Sequence, residues 1–167
     1  TTALIIAQSS VGGQLHLISG HASGITDSGT VTVGGNLVAT TDDNSGVINL
    51  DTLAVDGTVT LATNRSGNAT VVNDAGLQLA ASTVGGNLAA TATTGNMTDS
   101  GNLAITGTSS FTTSANNATI TLNNTNALAG AVTITTNDDS GTDADVTIDN
   151  GTTALVLAAS TIDGDLT

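Results

Sequence analysis

The sequence predicts an all-β fold, a parallel β-helix or β-solenoid of about 22 residues per coil with longer loops in every third coil. Three observations carry this expectation: apolar residues alternate with polar ones in short clusters, the composition cannot close a thick core, and the chain repeats itself at two lengths.

Alternation comes first because it is local. Leu15-His16-Leu17, Val31-Thr32-Val33, Val59-Thr60-Leu61, Ile120-Thr121-Leu122 and Val132-Thr133-Ile134 follow the period-two pattern of half-buried strands. No stretch has helical periodicity. Low-complexity polar chains often stay disordered because they bury too little surface to offset chain entropy, and these ordered apolar clusters argue against that outcome here.

Composition narrows the architecture. Phe111 is the one aromatic residue, Pro and Cys are absent, and Arg65 is the one base against 14 acids, giving a net charge of −13. Without rings or many long aliphatic side chains the core must be thin. The charge excludes nucleic acid as an expected partner and disfavours anionic membranes, since both need clustered Lys and Arg. No run of 18 apolar residues is present, so no membrane insertion is expected. The sequence shows no signal peptide and starts at Thr1.

The repeats give the winding. Val11-Gly12-Gly13-Gln14-Leu15 recurs as Val84-Gly85-Gly86-Asn87-Leu88, and Thr26-Asp27-Ser28-Gly29 as Thr98-Asp99-Ser100-Gly101, at offsets of 73 and 72 residues. Thr152 through Leu166 matches Thr1 through Leu15 position for position. The 167 residues thus read as one uncapped solenoid segment, with long repeats at about 1–75 and 76–151 and the start of a third at 152–167. Both termini fall mid-repeat, so the reading expects a stretch either excised from a longer array or polymerised end to end.

A shorter period lies inside the long one. An apolar residue, any residue, then Gly recurs with Val11, Val33, Val55, Val84, Ile105, Leu128 and Ile162 as leaders, spaced 22, 22, 29, 21, 23 and 34 residues apart. The fourth and sixth residues after each leader are expected to point inward: Leu15 and Leu17, Leu37 and Ala39, Val59 and Leu61, Leu88 and Ala90, Ser109 and Phe111, Val132 and Ile134. Each coil then holds three short strands with Gly, Asn or Asp at the corners, where positive φ is tolerated. Equivalent side chains of consecutive coils stack into one interior column.

The stretch LAASTVGGNLAATATTGNMTDSGNLAITGTSSFTTSANNATITLNNTNALAGAVTIT, residues 79–135, resembles the repeats of filamentous-haemagglutinin-like giant bacterial exoproteins. That resemblance extends over nearly the whole chain. It implies a secreted right-handed β-helix that builds surface filaments, adhesins or biofilm matrix, located outside the cell or on its surface.

Candidate chemistry is sparse. Cys is absent, and His16 and His21 have no repeated acidic partner, so no catalytic residue and no enzyme activity are expected. Asp42, Asp43, Asp138, Asp139, Asp143 and Asp145 place hard oxygen ligands in loops and are candidates for weak Ca²⁺ sites; solvated turns are the competing reading. No other cofactor is expected. Asn-x-Ser/Thr sequons occur at Asn64, Asn68, Asn96, Asn117, Asn123 and Asn150, with Asn68 and Asn117 the first candidates for glycosylation.

The functional expectation is a structural fibre segment whose partners are copies of itself, end to end or lateral. Two other readings compete: a ligand-binding adhesin region recognising a surface glycan or protein, and an ice-binding solenoid. Ice binding needs Thr at one outward place in successive coils. The third and fifth residues after each leader form an irregular column instead, from Gln14 and His16 to Ala131 and Thr133.

Overall fold

The computed structural model describes residues 2–42, 45–137 and 142–167. Among them there is no helix, and every strand ladder is parallel. The chain is a parallel β-solenoid of about 22 residues per turn.

The first winding holds β1 (Leu4–Ile6), β2 (Ser9–Val11) and β3 (Leu15–Ser19), and the second β4 (Ile25–Asp27), β5 (Val31–Val33) and β6 (Leu37–Thr41). In the third, β7 (Ile48–Val55) runs through two sides and β8 (Thr58–Ala62) makes the last. The fourth has β9 (Ala69–Asn73), β10 (Leu77–Leu79) and β11 (Ser82–Val84), and the fifth β12 (Leu88–Ala92), β13 (Met97–Asp99) and β14 (Leu103–Ile105). Next come β15 (Ser109–Asn116), β16 (Ile120–Leu122) and β17 (Ala127–Leu128), then β18 (Val132–Asn137) and β19 (Val146–Ile148). Residues 155–166 continue the stack through single bridges, Val132 to Leu157, Thr135 to Thr161 and Val146 to Leu166.

Two sheets enclose the core, and each winding crosses both. The first sheet is threaded by β1, β4, β7, β9, β12, β15 and β18; the second contains β3, β6 and β8, followed by β10, β13, β16 and β19 beside β11, β14 and β17. Stacking is residue on residue. Leu4, Ile25, Ile48, Ala69, Leu88, Ser109 and Val132 form one column, and Leu50, Val71, Ala90, Phe111 and Ile134 form the next. Phe111 is fully buried between Ala90 and Ile134, so a small residue on one side makes room for the one ring.

The inward positions expected from the alternation are buried from Leu17 through Ile134, while Leu15 on the first winding is half-buried. The leaders Val33, Val55, Val84, Ile105 and Leu128 are buried as well. The glycine two places after a leader has a steric cause. A Cβ on Gly57 would stand 2.5 Å from the Gly35 carbonyl oxygen of the winding before, so the chain can pass there only without a side chain.

The register differs from the expected single column. Val11, Val33 and Val55 stack together, and so do Val84, Ile105 and Leu128, but the two trios are not continuous with each other. Likewise Val59 meets Leu79, while Leu88 meets Ala69. The spacing of 29 between Val55 and Val84 is therefore not a lengthened loop. It holds two five-residue strands in succession, β8 and β9, where the intervals 11–33 and 84–105 hold one each, β3 and β12.

Candidate functional site

Midway along the solenoid its strand columns are exchanged. Below β7, the first sheet carries two columns of three-residue strands, β1 with β4 and β2 with β5, and both end on β7. Above β7 there is one column of longer strands, beginning with β9. The second sheet does the reverse: the five-residue strands β3, β6 and β8 are followed by two columns of short ones, starting at β10 and β11.

Such an exchange leaves backbone groups without ladder partners, and buried ones cannot stay so. Polar side chains fill the gaps. Asn73, at the end of β9, is buried; its Oδ1 accepts the Val55 N–H at 2.8 Å and its Nδ2 donates to the Val55 carbonyl at 3.0 Å and to the Gly76 carbonyl at 2.7 Å. Ser82 accepts the Leu61 N–H at 3.0 Å and donates to the Ala80 carbonyl at 2.8 Å. Each side chain stands where a neighbouring strand would have offered a peptide group.

The same device recurs one long repeat later. Asn150 Oδ1 accepts the Leu128 N–H at 2.8 Å, and its Nδ2 donates to the Leu128 and Thr153 carbonyls at 3.2 and 3.1 Å. Ser160 accepts the Ile134 N–H at 3.0 Å and donates to the Ala158 carbonyl at 3.0 Å. Thr63 Oγ1 and Thr136 Oγ1 complete the match, accepting the N–H groups of Gly85 and Asp163 at 3.0 Å each.

Two carboxylates brace the corner before each exchange. Asp27 accepts the Asp51 and Thr52 N–H groups and the Thr52 hydroxyl, at 3.2, 2.9 and 2.8 Å. Asp99, its counterpart, is buried and accepts from the Asn123 and Asn124 backbone and from the carboxamides of Asn124 and Asn126. These acids are corner braces.

Hydroxyls also close the turn after the long strand. Thr41, Thr63 and Thr113 are buried and donate to the carbonyls of Gly46, Gly67 and Ala118 at 2.9, 2.6 and 2.9 Å. The signal was in the sequence. Ser19, Thr41, Thr63, Thr113 and Thr136 each lie eight residues after a leader.

The expected chemical sites fall as follows. Asp42, Asp143 and Asp145 are exposed, Asp42 in the turn after β6 and the other two after β18, while Asp43, Asp138 and Asp139 lie outside the described residues. Among the described residues no three of His, Cys, Asp or Glu form a group able to hold a metal. Asp145 instead accepts the Asp165 N–H at 2.8 Å. Asn68 is exposed and its Oδ1 accepts the Asn87 N–H, whereas Asn117 is half-buried at a left-handed φ of 60°. Asn150, a sequon by sequence, has its carboxamide committed inside.

His16 points outward between Leu15 and Leu17, and His21 Nδ1 accepts the Ser23 N–H at 3.0 Å. An open groove beside β7 is lined by Thr30, Asp51, Thr52, Asp74 and Thr93. On the outer face of the first sheet, Thr91, Thr112 and Thr135 do align, a row displaced from the one expected. The row beside it reads Thr70, Ala89, Ser110, Thr133, so only two successive windings carry hydroxyls at both places.

Against known families, residues 66–135 match the model of one described as repeats of unknown function (DUF5649). The chain is a β-solenoid repeat protein. The matched span starts just before β9 and ends inside β18, close to one long repeat and containing the Asn73 and Ser82 insertions. No curated protein and no solved structure matches the chain.

Proposed function

We propose that this chain is a structural segment of a secreted or cell-surface fibre, in which stacked windings supply length and stiffness and no small-molecule chemistry is required. The observation that supports the reading most is the apolar interior from Leu17 to Val146, packed winding on winding between two parallel sheets. Such a column resists bending because each winding is tied to its neighbours by backbone ladders, and it needs no ring-rich core. Its partners are further windings of the same kind, end to end or side by side. The resemblance to filamentous-haemagglutinin-like repeats favours a place outside the cell.

An adhesin region recognising a surface glycan or protein is the second reading. It would draw on a patch that does not repeat, for which the groove at Thr30, Asp51 and Asp74 is one candidate. Electron microscopy of the native material tests the fibre reading. Rods with an axial repeat near about 4.8 Å are expected, and isolated globular particles lacking it would overturn the proposal.

A further inference from the structure

We infer that the long sequence repeat fills three and a half windings, so that successive copies turn their equivalent strands to opposite sheets and a surface feature carried once per copy faces alternately to one side of the rod and the other. Leu15, Leu88 and Leu166 are equivalent by sequence. Leu15 opens β3 in the second sheet, Leu88 opens β12 in the first, and Leu166 bridges to Val146 of β19, back in the second.

Between Leu15 and Leu166 the chain passes through the second sheet at β3, β6, β8, the β10 and β11 pair, the β13 and β14 pair, the β16 and β17 pair, and β19 before Leu166 itself. Those eight passages bound seven windings for two copies.

A repeat commensurate with the winding would have set Leu88 over Val59. Instead, the pairing is Leu88 with Ala69. The half-turn is built by the same parts each time, since Asn73 and Ser82 are matched by Asn150 and Ser160 with the same backbone partners in kind. The exchange therefore belongs to the repeat and is no accident of one winding.

The consequence is steric. A partner several windings wide, bound through such a feature, covers one side only and leaves the equivalent surface of the next copy open on the other. Features repeated at every winding, by contrast, would crowd along one face at about 4.8 Å intervals.

Thr40 on β6 and Thr112 on β15 are equivalent outward positions on different sheets. The chain has no cysteine of its own, so thiol chemistry reports these positions alone. A Thr40→Cys/Thr112→Cys variant carrying short-linked biotin at both thiols is expected to bind two molecules of monovalent streptavidin, read as complex mass by light scattering. A Thr91→Cys/Thr112→Cys control, with neighbours about 5 Å apart on one sheet, is expected to bind one. One bound molecule on both variants overturns the inference. The count is made on single chains, so it is independent of whether they assemble into a fibre.

Discussion

The carboxamide of Asn73 faces the backbone of Val55 as a peptide group would, accepting its N–H at 2.8 Å and donating to its carbonyl at 3.0 Å. Both residues are buried, so nothing else in the interior can serve those two groups.

Replacing Asn73 by Leu leaves the Val55 N–H and carbonyl buried and unpaired, at about 1–3 kcal/mol for each orphaned group. The expected result is a marked fall in the urea midpoint. Asn73→Asp should fare no better near neutral pH, because a carboxylate would face the Val55 and Gly76 carbonyls that now accept hydrogen bonds. Unchanged midpoints in both variants would show that the carboxamide is not holding the exchange.

Gly107 should not tolerate even a methyl group. Its Cβ would lie 2.6 Å from the Gly86 carbonyl oxygen, so backbone must shift, and overpacking of this kind costs about 1–3 kcal/mol. Gly20 is the matched control, since its nearest neighbour is the exposed carboxylate of Asp42, at 3.0 Å, which can turn aside. Thermal unfolding should show Gly107→Ala well below the parent and Gly20→Ala close to it.

Ser109 is buried in a column between Leu88 and Val132, and its hydroxyl has no hydrogen-bond partner. Removing the oxygen removes a desolvation penalty, so Ser109→Ala is expected to raise stability by about 1 kcal/mol. A lower unfolding midpoint for this variant would contradict that account.

Ser45 holds a left-handed φ of 67° in the turn after β6. A side chain there costs about 1–2 kcal/mol that glycine does not incur, offset in part by the greater freedom of glycine in the unfolded chain. Ser45→Gly also loses the Ser45–Ser66 hydroxyl contact of 2.8 Å, but that contact is exposed and contributes little, so the variant is expected to be neutral or stabilising by up to about 1 kcal/mol. Chemical denaturation of the variant beside the parent measures it.

Much of this architecture was legible in the order of residues. The leaders and their fourth and sixth followers are inside because alternation ties each side chain to one face of its strand. From Gly35 onward, the Gly after each leader is explained by the backbone of the preceding winding. What escaped was the role of Asn73, Ser82, Asn150 and Ser160, since one Asn or Ser among many in this composition carries no mark of burial. The recurrence of Asn73 and Asn150 ahead of the matching Leu-x-Leu-Ala-Ala-Ser-Thr runs, Leu77 to Thr83 and Leu155 to Thr161, with Ser82 and Ser160 inside them, was the available sign.

By itself, then, the sequence determined the strand pattern, the length of a winding and the inward set, because alternation and turn chemistry are local properties of a chain. Which winding lies on which was decided only in three dimensions. Stacking equivalent motifs and stacking non-equivalent ones both bury apolar side chains, and the choice falls to whether every buried N–H and carbonyl finds a partner. Asn73 and Ser82 supply those partners for the exchanged register, and Leu88 consequently rests on Ala69 instead of Val59.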